Sequence, residues 1–578
     1  MIRLLLLTSL LLPLLCTCDR APENSRVEQP GDDANGRPNV LWITCEDISP
    51  LLAAFGDSTA QTPNLDRLAA RGVRFPNTFS VAGVCAPSRH CLATGMHPIS
   101  TGGHHMRTQW NVPQLLDIGL PGAYGALPPP EVKMLSQLLR EDGYFCTNNQ
   151  KTDYQFVAPK TAWDENDAKA HYRHRPDKSQ PFFSVFNLEI THESQIWMTG
   201  KGNLRFRPGM DHDTTTVYAW NDVFDAEDRP PLTVDPATVP LPPYLVDDAA
   251  TRTDAARVYS NIEIMDRQVG FLLEELERSG EAGNTIIFFF SDHGGPLPRQ
   301  KRLLYDSGLR VPLIVAWPDD RRAGAIDSSL VSFVDLPPTV LHLTGTPRPD
   351  YLQGSAVLGP DHDPPRTYVH AAADRLDGFY DRIRATRDKR FKYLRNYYPE
   401  RPYYLPVVYR EKMNAMQSLL AGNAAGTLTD AQARWFRKTK PAEELFDTAN
   451  DPHELTNLAG DPRYADKLLE LRTATDEWLA RVGDLGAEDE IDMVRRFWNG
   501  RDEMPVTGVP QLRRDDKGLF VFESKTPGAQ IAYQITPPGA DPGPWQVYTG
   551  PLEYVRGDTL RAVAQRIGYR ESEVRIGW

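Results

Sequence analysis

The chain has 578 residues, a formal net charge of −13 and 40% hydrophobic residues. That length holds a large core divided into two or three units, and the acidic balance excludes broad electrostatic adhesion to nucleic acid or anionic lipid, which needs a basic footprint. An anionic ligand would have to find its positive partners gathered in one place.

The opening residues MIRLLLLTSLLLPLLCTCDR carry one arginine, a leucine-rich run too short to span a bilayer, and then Cys16 and Cys18. This is an export signal rather than a transmembrane helix. The two cysteines stand where a lipoprotein signal places its lipidated residue, although the residues ahead of them form no typical lipobox, and an ordinary cleaved signal fits as well. The expected location is the periplasm or cell envelope of a bacterium, or outside the cell, with membrane contact only through an N-terminal lipid. Residues 1–18 are thus signal, and the polar, Asp-, Gly- and Pro-containing stretch 19–37 is a tether.

NVLWIT, residues 39–44, suits a buried strand that delivers Glu46 and Asp47 at its carboxyl end. TPNLDRLAARG follows with Thr62 as N-cap, Pro63 at the first helical position and Gly72 as stop. The pattern recurs: EVKMLSQLLREDG reads as helix, YFCTNN and FFSVFN as strands, Ala255 to Arg278 as a long helix, and NTIIFFF as a strand running into Ser291-Asp292-His293-Gly294-Gly295. Alternation of this kind predicts an α/β fold, a large, mostly parallel sheet sandwiched by helices, with the ligand outside the carboxyl ends of the strands. From Glu193 to Leu245 a long proline- and aspartate-rich insertion with Trp197 and Trp220 reads as a substrate-facing loop.

The texture changes near residue 376. RATRDKRFKYLRNY alternates like strands, ELFDTANDPHELTNLA reads as strand, turn and helix, and DKLLELRTATDEWLARV as an amphipathic helix with Leu468, Leu469 and Leu471 toward the core. The predicted organisation is a catalytic domain over 38–375, a smaller α+β subdomain over 376–500 and a small β module over 501–578, where AQIAYQI, WQVYTG and TLRAVAQRIGY are short strands.

After export, Cys45, Cys85, Cys91 and Cys146 remain, without CxxC pairing or zinc-like spacing. Neither a disulfide framework nor a metal cluster of thiols follows. Glu46, Asp47 and Asp292 offer oxygen ligands to calcium or magnesium, and His293 could complete the shell or bind substrate. In Cys85-Ala86-Pro87-Ser88-Arg89 the proline fits a first helical turn, which leaves Cys85 at the positive end beside Arg89. A thiol there is expected to be acidic and reactive, yet a thiolate matches hard oxygen ligands poorly.

CAPSR followed by LATG resembles the signature of the type I sulfatases, a branch of the alkaline phosphatase superfamily, and the resemblance runs from about Arg37 to Leu458 through RPNVLWITCEDISP, SDHGG, LRVPLIVAWP, VSFVDLPPTVLHLTG and ELFDTANDPHELTNLA. It implies an alkaline phosphatase-like fold, conversion of Cys85 to formylglycine by a maturation enzyme, and one calcium ion held by Glu46, Asp47, Asp292, His293 and an oxygen of the modified Cys85. The family more often has Asp-Asp at the first pair and Asp-Asn at the second. By the same resemblance Arg89 holds the modified residue, Lys151 binds sulfate, and His192 or Lys301 protonates the leaving group. Asp153 stands where the family commonly has a histidine.

Arg89, Lys151, Arg299, Lys301 and Arg302 would make a positive pocket in a negative protein, and His104 and His105 either line it or serve structure. The substrate expected is a sulfated saccharide, best guessed as N-sulfoglucosamine of heparan-type chains. Alternatives are an O-sulfated polysaccharide, a phosphate or phosphonate ester, or a non-catalytic glycan-binding role in which Cys85 stays unmodified.

Overall fold

A computed structural model describes residues 36–109, 118–197, 203–205, 222–224, 230–553 and 557–577. The stretch read as an export signal, with Cys16 and Cys18, nearly all of the stretch read as a tether, and Trp220 lie outside the described residues.

Eight strands form the central sheet: β1 (Asn39–Cys45), β2 (Gly72–Arg74), β3 (Phe145–Asn149), β4 (Glu165–Asp167), β5 (Phe182–Leu188), β6 (Thr285–Ser291), β7 (Leu313–Ala316) and β8 (Ala325–Ile326). Their spatial order is β8-β2-β7-β6-β1-β5-β3-β4. Neighbours are parallel except where β7 meets β2 and β6. Central strand β1 is buried throughout, with Leu41 and Ile43 in one core cluster and Val40 and Trp42 in another. Cover on both faces is why NVLWIT is continuously apolar rather than alternating.

Helices α1 (Pro63–Arg71), α2 (Cys85–Thr94), α3 (Leu135–Glu141), α4 (Ala249–Arg278) and α5 (Leu336–Thr344) supply that cover. Leu65 and Leu68 of α1 and Ile262, Met265 and Val269 of α4 lie on the Ile43 face; Leu92 of α2, Leu139 of α3 and Val340 of α5 lie on the Trp42 face. Two helices differ in length from their sequence patterns. The Gln137 side chain accepts the Met134 N–H and caps α3 at Leu135, so Val132 precedes the helix. Asp248 accepts the Thr251 N–H and starts α4 at Ala249, ahead of Ala255.

A second, antiparallel sheet has the order β9 (Val369–Ala373), β10 (Ile383–Arg387), β11 (Phe391–Asn396), β12 (Glu443–Asp447). It begins at Val369, earlier than the boundary expected at 376. After β12 there is no helix at HELTNLA, because the Asp451 carboxylate accepts the N–H groups of Leu455 and Thr456 at 2.8 and 2.7 Å and draws the chain into turns. Helix α6 (Ala465–Val482) buries Leu471 and Trp478, while Leu469 faces outward at 57% exposure. Helix α7 (Glu490–Phe497) packs Met493, Val494 and Phe497 on Leu120 and Tyr124. The last segment folds as two small antiparallel sheets and inserts Ile567 into the Trp42 cluster, so it is packed onto the large sheet rather than hung from it.

Candidate active site

Strands β1 and β6 run in register with Cys45 opposite Ser291, so Glu46-Asp47 and Asp292-His293 leave the sheet side by side. The Asp292 N–H donates to Cys45 O at 3.0 Å and carries the ladder one residue further. Ser291 Oγ accepts the Ile48 N–H at 3.0 Å and donates to His293 O at 2.8 Å, which fixes both turns. Glu46, Asp47 and Asp292 are all 0% exposed.

Extended Val84 precedes α2, and Cys85 is the first helical residue. A Cβ on Gly83 would fall 2.5 Å from Leu303 O, and Gly83 O accepts the Arg302 N–H. Glycine is what lets the loop carrying Lys301 lie against the loop carrying Cys85. Lys301 Nζ and His293 Nε2 each approach Cys85 Sγ to 3.4 Å. Burial pushes the Cys85 thiol well above its ordinary range, Lys301 pulls it back, and Asp292, Glu46 and Asp47 push it further. The acidic thiol expected from the helix end and Arg89 is corrected here: burial reverses it, and carboxylates brought from distant strands add to the shift.

Buried cations meet the carboxylates in turn. Arg89 reaches Glu46 at 3.1 Å, Asp292 at 3.0 Å and Asn187 Oδ1 at 2.7 Å. Lys151 lies 2.9 Å from Glu46 and 3.2 Å from Asp153, and Lys301 grips both Asp47 oxygens at 2.8 and 2.7 Å. His293 Nε2 is 2.9 Å from Asp47, and His192 Nε2 is 3.7 Å from Glu46. Burial and then Lys301 lower the His192 pKa, while Asp47 and Glu46 oppose them. The Ser194 N–H and Oγ lie 3.3 and 2.8 Å from His192 Nδ1, and a neutral ring that accepts both carries its proton on Nε2.

Cys85, Lys151, Asp153, His192, Glu193, Lys301 and Arg302 line one cleft, together with Met106, Arg107, Gln109 and Tyr409. Among the described residues, ligand atoms of Glu46, Asp47, Cys85 and His192 fall within 4.8 Å of one another, as do those of Cys85, Asp292 and His293. This oxygen-rich set fits a hard cation. Charge points the same way: Lys151 and Lys301 are both held by carboxylates, and a divalent ion taking Glu46 and Asp47 would free two ammonium groups for an anion.

Three expected pocket residues lie elsewhere. His104 and His105 are buried outside the cleft lining, beside Asp374, Arg375 and Glu490, because the C-terminal helix α7 closes over them. Arg299 turns away to donate to His453 O and Glu454 O at 2.8 and 2.9 Å and stacks on Tyr305. Arg302 stays at the cleft, but its fork is closed on Glu193 at 2.9 and 2.6 Å. Trp197 packs edge-on against Tyr409.

The sequence reasoning missed Asn187 and Glu193. Asn187 is a polar residue inside an apolar strand, a signal in itself. Burial works to raise the Glu193 carboxyl, yet Arg302 and Lys301 hold it at about 2. No local pattern marks Arg107 or Tyr409.

A mostly parallel sheet, helix-covered on both faces, with buried carboxylates, lysines and a helix-initial cysteine at its strand ends, is an alkaline phosphatase-like fold. The chain belongs to the sulfatase family, whose pattern matches residues 38–346, and it is a sulfuric ester hydrolase. The N-sulphoglucosamine sulphohydrolase C-terminal family matches residues 299–405. An ulvan-active sulfatase of Formosa agariphila is 45% identical, covering 99% of this chain and 97% of its own. Human N-sulphoglucosamine sulphohydrolase is 26% identical over 76% of this chain and 89% of its own. A solved structure with bound D-glucosamine-2-N,6-O-disulfate superposes with TM-score 0.53 at 18% identity, covering 78% of this chain and all of the other.

Proposed function

We propose that this sulfatase desulfates a sulfated polysaccharide of the ulvan kind, with Cys85 converted to formylglycine by a maturation enzyme and one calcium ion held by Glu46, Asp47, Asp292 and His293. The observation that carries this reading is the convergence of Lys301 and His293 on Cys85 Sγ above Asp47, in one cleft with Lys151 and His192. The near full-length match to an ulvan-active sulfatase supports the substrate class.

Sγ of the encoded cysteine stands in for an oxygen of the modified residue. When present, that residue supplies an oxygen nucleophile and the ion neutralises charge on the sulfuryl group. The chain's own groups do the rest. Lys301 and Lys151 bind sulfuryl oxygens, and their donors are worth most on the charge that develops as the bond to sulfur breaks. Arg89, oriented by Asn187, fixes residue 85 from behind. His192 holds a proton on Nε2 for the departing oxygen or nitrogen. Asp153 positions Lys151, and Glu193 does the same for Lys301.

The match over residues 299–405 favours a second reading, the N-sulfate of glucosamine. Sulfate release by matured protein from ulvan oligosaccharides and from N-sulfoglucosamine separates the two. Release from ulvan oligosaccharides is expected; release only from N-sulfoglucosamine transfers the reading to it, and release from neither contradicts both. We also propose that the protein works in the cell envelope or outside the cell, and the mature N-terminus from the host, lipidated at Cys16 or Cys18 or simply cleaved, tests this.

A further inference from the structure

The cleft is also lined by Met106, Arg107 and Gln109, from the segment after α2, and by Tyr409, on the short helix Val408–Glu411. Arg107 Nε lies 2.6 Å from one Asp377 oxygen. Among the described residues the guanidinium makes no other ion pair, and the side chain is 34% exposed. Its guanidinium carbon sits 5.4 Å from the Tyr409 ring centroid. That ring is braced by Trp197, edge-on at 5.0 Å, and Lys412 Nζ is 5.6 Å from it.

The segment is held firmly. Arg107 adopts φ +61, a conformation rare for a residue with a side chain. The Met106 N–H donates to Arg375 O at 3.0 Å, Arg375 Nη1 donates to Met106 O at 3.1 Å, and Glu490 fixes the Arg375 guanidinium at 2.6 and 2.7 Å. A buried scaffold thus presents an open guanidinium fork beside an aromatic face. A fork of that kind matches a carboxylate or sulfate, and the ring offers an apolar face to sugar C–H groups.

We propose that Arg107 and Tyr409 form a subsite for a second anionic group on the saccharide, either the carboxylate of a neighbouring uronic acid or a second sulfate, next to the sulfate that is cleaved. This rests on the sulfatase reading above. Lys151 and Lys301 face residue 85 and serve the scissile group, which leaves Arg107 for its neighbour. Because the contact forms in the ground state as well as in the transition state, its loss raises KM and spares kcat.

Three probes test it with matured enzyme: nitrophenyl sulfate, a monosulfated disaccharide with a uronic acid neighbour, and a disulfated disaccharide of neutral sugars. Arg107→Gln is expected to raise KM about tenfold or more on one charged disaccharide, the size of one lost charge-assisted fork, with kcat and nitrophenyl sulfate turnover unchanged. The disaccharide affected identifies carboxylate or sulfate as the ligand. Arg107→Lys keeps the charge without the fork and should fall between. Equal KM for wild type and Arg107→Gln on both disaccharides overturns the proposal. Should the wild type turn over none of the probes, the sulfatase reading fails instead, and calorimetric binding of the disaccharides to wild type and Arg107→Gln still decides the subsite.

Discussion

Two clusters of buried charge lie within this fold, and they use burial in opposite ways. At the strand ends three carboxylates, Glu46, Asp47 and Asp292, meet Arg89, Lys151 and Lys301 at the wall of a cleft. Beneath α7 one carboxylate, Glu490, takes the hydroxyls of Tyr124 and Tyr380 at 2.7 and 2.6 Å and two bonds from Arg375. In the second cluster the tyrosine hydroxyls and two Arg375 nitrogens close on Glu490 while the third is taken by the carbonyls of Met106 and Asp377, whereas in the first the lysines hold carboxylates that a cation could take over. Buried charge alone does not mark an active site. What marks it is charge whose partners can be exchanged at a cleft.

Substitution at Cys85 should sharpen that contrast most. Cys85→Ala is expected to abolish sulfate release, by at least about 10⁴-fold as for other lost nucleophiles, without lowering the melting temperature. Lys301→Ala comes next. Turnover should fall by about 10²–10³-fold, the scale of one lost transition-state donor, and the metal-free protein should lose roughly 3–5 kcal/mol of stability because buried Asp47 loses the ammonium group that holds both its oxygens. Denaturant unfolding with and without calcium checks the second part, since the ion should restore what the lysine no longer supplies.

Glu490→Gln probes the other cluster. Unfolding should cost about 3 kcal/mol less, while kcat on nitrophenyl sulfate stays at the wild-type value; a fall in kcat without a fall in stability would erase the distinction between the clusters. The smallest effect is one of pH. Burial tends to raise the Asp484 carboxyl, but Arg384 and Arg382 outweigh it and hold it at about 2. The stability from that pairing is full above the ordinary carboxylate range, near pH 4, and is lost as pH falls toward about 2. The advantage of wild type over Asp484→Asn in unfolding free energy should therefore shrink over that interval.

How much of this was legible in the sequence depended on distance along the chain. The strand ends were readable because NVLWIT and IIFFF are contiguous apolar runs that stop at acids, and the CAPSR signature is local. Partnerships across the chain were not. Nothing near His104 and His105 announces that Glu490 and Arg375 will bury them, and nothing near Arg299 announces the carbonyls of His453 and Glu454. The thiol of Cys85 is a case of the same kind, since its helix end is local, whereas the burial that raises it and the carboxylates that add to the shift come from the packing of distant strands. The turns after β12 and the outward Leu469 show that a helical pattern of apolar residues does not decide between a helix and an Asx-capped turn, nor which leucine the core receives.

The central claim is that residue 85 carries the chemistry in a modified form. The most direct measurement is the mass of the peptide containing Cys85, from protein purified out of its native host, taken alongside sulfate release by the same sample. The account predicts the mass loss of thiol-to-aldehyde conversion, with activity proportional to the converted fraction. Full activity from protein whose Cys85 is an unmodified thiol would contradict it.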